Sequence, residues 1–75
     1  MSVLPRISGR EVVAALAKIG YEMDRQKSSH IILRISAYPY RRLVVPDHHE
    51  VAKGTLRAFI RQAGLTVDEF TALLQ

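Results

Sequence analysis

The sequence predicts an α+β fold: a three-stranded antiparallel sheet with helices on one face, in the order α-β-β-β-α plus a short C-terminal helix. Two capping signatures, Ser8 to Glu11 and Thr66 to Glu69, each open a stretch with helical apolar spacing. Two stretches, 21–25 and 30–35, alternate in the manner of strands, and glycines and prolines punctuate the segments between. Three short strands of this composition cannot bury both sheet faces, so the helices must share one. Residues 1–75 read as one domain, with no repeat, linker or low-complexity segment.

The first helix starts at the Ser8-Gly9-Arg10-Glu11 capping box. Its apolar positions are Val12, Leu16 and Ile19, with Val13 and Ala15 beside them, and Gly20 supplies a left-handed C-terminal cap. Tyr21-Glu22-Met23-Asp24-Arg25 alternates as a half-buried strand, and Lys27 to Ser29 forms the turn. In the next strand Ile31, Leu33 and Ile35 make a uniformly aliphatic core face. His30, Ile32 and Arg34 then fall on the open face, because strand side chains alternate. Ile32 is an apolar residue expected on that open face.

Ser36 to Tyr40 reads as a loop, since Pro39 argues against continuing the strand. Arg41-Arg42-Leu43-Val44-Val45 is the third strand, ended by Pro46. Lys53-Gly54-Thr55 leads into a helix with a Leu56, Phe59, Ile60 and Ala63 stripe, closed by Gly64. Lys53, Arg57 and Arg61 share its other side. The second capping box opens a short helix with Val67, Phe70, Leu73 and Leu74 apolar.

Composition narrows the function classes. Hydrophobic content of 48% with 24% charge is globular rather than disordered. With no cysteine, neither disulfides nor a thiolate zinc site can stabilise the chain. No apolar run approaches the about 18 residues of a membrane span, and Met1 to Pro5 does not read as a secretory leader. A soluble cytoplasmic protein without a membrane partner is expected. Of the net +4, the stretch from Arg25 to Arg61 holds eight cations against two acids, Asp47 and Glu50. The remainder holds three cations against five acids, so the excess sits mid-chain and points to a polyanionic partner. A merely solvated basic face is the plain alternative.

The richest stretch for chemistry is Arg25-Gln26-Lys27-Ser28-Ser29-His30. Imidazole titrates near neutrality, the cations favour phosphate, and the hydroxyls can donate to its oxygens. A histidine at a strand end is more often an ordinary surface residue, so the position alone decides nothing. Pro46-Asp47-His48-His49-Glu50 is the metal candidate, but adjacent histidines diverge in an extended loop, and a polar connection is the better reading. No cysteine nucleophile and no Gly-rich phosphate loop is present. One histidine among cations is enough for RNA cleavage, because the RNA's 2′-hydroxyl is the nucleophile. No metal or small-molecule cofactor is called for, and DNA would be inert by this route.

A resemblance then emerges from the fragments in order. They are Leu4 to Glu11, Leu16, Ile19-Gly20-Tyr21, Arg25 to His30, Val44 to His48, Lys53-Gly54-Thr55-Leu56-Arg57 and Gln62-Ala63-Gly64-Leu65. Together they resemble the HicA (YcfA-like) toxins, over nearly the whole chain. The resemblance implies a double-stranded RNA-binding-domain-like fold, which the α-β-β-β-α layout also fits. It implies an mRNA interferase of a type II toxin–antitoxin system, held inactive by a HicB-type antitoxin. It also implies that His30 corresponds to the family's catalytic histidine. The family usually has Gly-Ser-His where this chain has Ser28-Ser29-His30.

The leading expectation is therefore a metal-independent endoribonuclease toxin with His30 as general acid or base. Lys27, Ser29 and Arg34 would bind the scissile phosphate, and Lys53, Arg57 and Arg61 the RNA backbone. The alternatives are a non-catalytic double-stranded RNA-binding module, which gives His30 no role, and a basic face that only docks an acidic protein.

Overall fold

The computed structural model describes residues 3–35 and 42–74. Its elements are α1 (Gly9–Ala17), β1 (Tyr21–Lys27), β2 (His30–Ile35), β3 (Arg42–Pro46), α2 (Lys53–Gln62) and α3 (Val67–Leu73). The expected loop from Ser36 to Tyr40 and the strand start at Arg41 lie outside the described residues.

Both capping boxes form. The Ser8 hydroxyl accepts from the Glu11 N–H while the Glu11 carboxylate accepts from the Ser8 N–H, and Thr66 and Glu69 repeat the exchange. Each satisfies two of the amide groups that a helix start leaves without intrahelical partners. α2 ends in a Schellman motif: Gly64, at φ 76°, donates to the Arg61 carbonyl, and Leu65 donates to that of Ile60.

The sheet has the order β1-β2-β3, antiparallel throughout. Ile31, Leu33, Leu43 and Val45 are buried and belong to one core with Val12, Leu16, Leu56, Phe59, Ile60 and Phe70. Every helix therefore contributes to the same side of the sheet. Phe70 and Leu56 are wholly inaccessible, so the short third helix is an integral part of that layer.

β1 departs from the alternation the sequence presents. Only Tyr21 is buried along it, and Met23 is 59% exposed. Its register also breaks after Met23: Met23 pairs with Leu33, but Arg25 rather than Asp24 pairs with Ile32. Asp24 is the extra residue of a bulge, which reverses the facing of everything after it. The groove between α1 and β1, about 230 Å³ and lined by Arg10, Val13, Met23, Gln26 and Ile31, agrees. Met23 and Gln26 stand on the helical side with Ile31.

Candidate active site on the open sheet face

His30 is the first residue of β2, exposed, and directly opposite Lys27 on β1 and Pro46 on β3. Residues directly opposite one another share a face. His30 and Lys27 are therefore neighbours on the side away from the helices. The hairpin between them is only two residues long, Ser28-Ser29, and Ser28 adopts φ 57°. A left-handed residue is what tight hairpins require at such a position, and glycine meets it most cheaply. This is where the HicA resemblance places a glycine, so Ser28 holds the turn at some cost in strain.

Asp47 braces the turn from the other side. Its N–H donates to the Ser29 carbonyl at 2.7 Å. Its carboxylate accepts from Arg10 Nε at 3.2 Å, Arg10 Nη2 at 3.4 Å and Gln26 Nε2 at 3.1 Å. The hydrogen bond from Arg10 is the largest cause holding the Asp47 carboxyl below its ordinary value. Partial desolvation opposes it, while the Arg10 charge, the Gln26 bond and His48 add to it. The same contact raises the Arg10 guanidinium. Behind this knot the Gly9 N–H donates to the His48 carbonyl at 2.9 Å. The strand end, the hairpin turn and the start of α1 are thus joined one residue away from His30.

The open face continues beyond His30 as three rungs across the sheet: Lys27–His30–Pro46, Arg25–Ile32–Val44 and Glu22–Arg34–Arg42. Ile32 is half-buried and Val44 is 49% exposed, so the apolar spot expected at Ile32 is larger than one residue. Arg34 shares the face with His30 but not its rung. Four residues along a strand separate their Cα atoms by roughly 13 Å. Lys27 and Ser29 are the predicted phosphate ligands that the fold brings next to His30.

Lys53, Arg57 and Arg61 are exposed along one flank of α2, roughly 100° round the helix axis from Leu56, Phe59 and Ile60. They belong to the helical layer, with the sheet between them and His30. The predicted residues therefore divide into two surfaces. Sequence reasoning missed Arg25, Arg42 and Val44 on the open face, and the Asp47 brace. His48 and His49 are exposed, and among the described residues no three His, Cys, Asp or Glu side chains are grouped to hold a metal ion.

A family model described as "HicA toxin of bacterial toxin-antitoxin" matches residues 9–65, which include both sides of this site. The chain belongs to the HicA toxin family. The matched span runs from the first residue of α1 to the Gly64-Leu65 close of α2, and so takes in the whole sheet. No curated protein matches the chain. Membership gives this protein a toxin role of the toxin–antitoxin type, a role that implies an antitoxin partner. Among the described residues no helix is long and apolar enough to cross a membrane.

Proposed function

We propose that this HicA-family toxin is a metal-independent endoribonuclease, an mRNA interferase acting in the cytoplasm and restrained by a HicB-type antitoxin. The observation that carries the reading is His30, exposed beside Lys27 on a face that also carries Arg25, Arg34 and Arg42.

The chemistry asks little of the protein. The RNA 2′-hydroxyl attacks the adjacent phosphorus, the bond to the 5′-oxygen breaks, and a cyclic phosphate and a free 5′-hydroxyl result. His30 takes the proton of the attacking hydroxyl or gives one to the leaving oxygen, a contribution of about 10²–10⁴ in rate. Lys27 and the Ser29 hydroxyl stabilise the charge that builds on the phosphoryl oxygens. Lys53, Arg57 and Arg61 hold RNA backbone that extends past the sheet, through contacts that weaken as salt rises. The fold's two layers are compatible with a double-stranded RNA-binding ancestry, and the α2 stripe alone would suit a binding module. That reading leaves the open face and His30 without a task.

Incubating the purified protein with RNA in EDTA separates the two. Cleavage supports the ribonuclease. Intact RNA bound with a steep salt dependence supports the module, and neither outcome with RNA leaves a face that docks protein only.

A further inference from the structure

We propose that the Asp24 bulge makes the open face a track for unpaired RNA, and that Arg25 with Ile32 and Val44 seats a nucleotide beside the phosphate at His30. The inference rests on the ribonuclease reading and assigns its substrate contacts.

The bulge decides the charge of the face. β1 has seven residues against the six of β2. Regular pairing onward from Met23–Leu33 would set Asp24 opposite Ile32 and Gln26 opposite His30. Glu22 and Asp24 would then face any incoming strand, with Arg25 and Lys27 turned toward the helices. The observed register sets Arg25 opposite Ile32 and Lys27 opposite His30. Among the described residues, four cations, Arg25, Lys27, Arg34 and Arg42, now share the face with one acid, Glu22. Bulges beside functional sites commonly re-aim side chains in this way.

The middle rung has different chemistry from its neighbours. Ile32 and Val44 cannot bond a phosphate, but their methyl groups and the planar Arg25 guanidinium suit the face of a base. That rung lies about 7 Å along the strand from His30, two residues of extended chain. The far rung offers Arg34 and Arg42 to a phosphate further along. A duplex hides its base faces in stacking, and its regular backbone keeps the 2′-hydroxyl out of line with the leaving oxygen. An unpaired strand satisfies both requirements.

The test uses a labelled single-stranded RNA and the same sequence in duplex, with binding measured in a His30→Ala background and cleavage in the parent. Arg25→Ala is expected to weaken single-strand binding by about tenfold or more and to raise KM more than it lowers kcat. Duplex binding should hold, and Arg6→Ala, at an exposed cation outside the face, should change neither. Arg25→Lys should keep the salt dependence without restoring affinity. The inference is overturned if Arg25→Ala behaves as Arg6→Ala does, if single strand and duplex lose equally, if lysine rescues fully, or if only antitoxin binding suffers. A parent that cleaves no RNA while Arg25-dependent single-strand binding persists would remove the ribonuclease and leave the track standing.

Discussion

The Asp47 N–H donates to the Ser29 carbonyl at 2.7 Å, which ties the end of β3 to the turn one residue before His30. The Asp47 carboxylate meanwhile accepts from Arg10 and Gln26, so one residue links β3, the hairpin, β1 and α1. Because its pKa is lowered in the folded state, this carboxylate adds stability that is present above the unfolded value. That stability is lost as pH falls through the lowered folded value, below the ordinary carboxyl range. Asp47→Asn should therefore flatten the acid limb of a thermal-denaturation series across pH. An acid limb identical to the parent's would show that the brace does not depend on charge.

Gly9 permits the close approach behind that brace. A Cβ there would overlap the Pro46 carbonyl, which is backbone and cannot swing aside. Gly9→Ala should destabilise the fold by about 3 kcal/mol, near the upper end for overpacking, despite alanine's better helix propensity. Urea denaturation reads this directly, and a variant as stable as the parent would mean that α1 can move away from β3.

Ser28 offers the opposite case. At φ 57° it is the non-glycine residue in the left-handed region among those described. Ser28→Gly should stabilise by about 1 kcal/mol, the cost of that conformation for an L-residue less glycine's greater unfolded-state entropy. Cleavage should be retained or improved, because the turn that carries His30 keeps its shape. A lower melting temperature would show that the serine is held comfortably.

The antitoxin is expected to cover the open face rather than the helices. Ile32 and Val44 lie within a rim of cations, a combination that suits an acidic partner with an apolar centre. Hydrogen exchange with the partner bound should protect residues from Lys27 to Arg34. Protection confined to α1, α2 and α3 would place inhibition elsewhere.

Much of this architecture is written locally. The two capping boxes, the Gly64 close and the aliphatic Ile31–Leu33 face act over a few residues, and each forms as its sequence directs. The bulge is not local, because Tyr21 to Arg25 alternates without interruption. Parity could have revealed it. A two-residue turn sets Lys27 opposite His30 on the open face, while Tyr21 belongs in the core. Six steps of regular alternation would put Tyr21 and Lys27 on one face, so one residue must be extra. The Asp47 knot was hidden for a similar reason: its partners are distant in sequence, at Arg10 and Gln26. Charge alone could not separate the α2 stripe from the sheet cations. Only the two-layer packing does so.

The most direct test of the account is RNA cleavage by purified parent and His30→Ala protein in EDTA. Circular dichroism would confirm the fold, and binding would be measured alongside. The account predicts that the parent cleaves RNA, and arrests growth when expressed without its antitoxin. His30→Ala should bind RNA equally but cleave about 10²-fold more slowly or less. A folded His30→Ala protein that cleaves at the parental rate would contradict it.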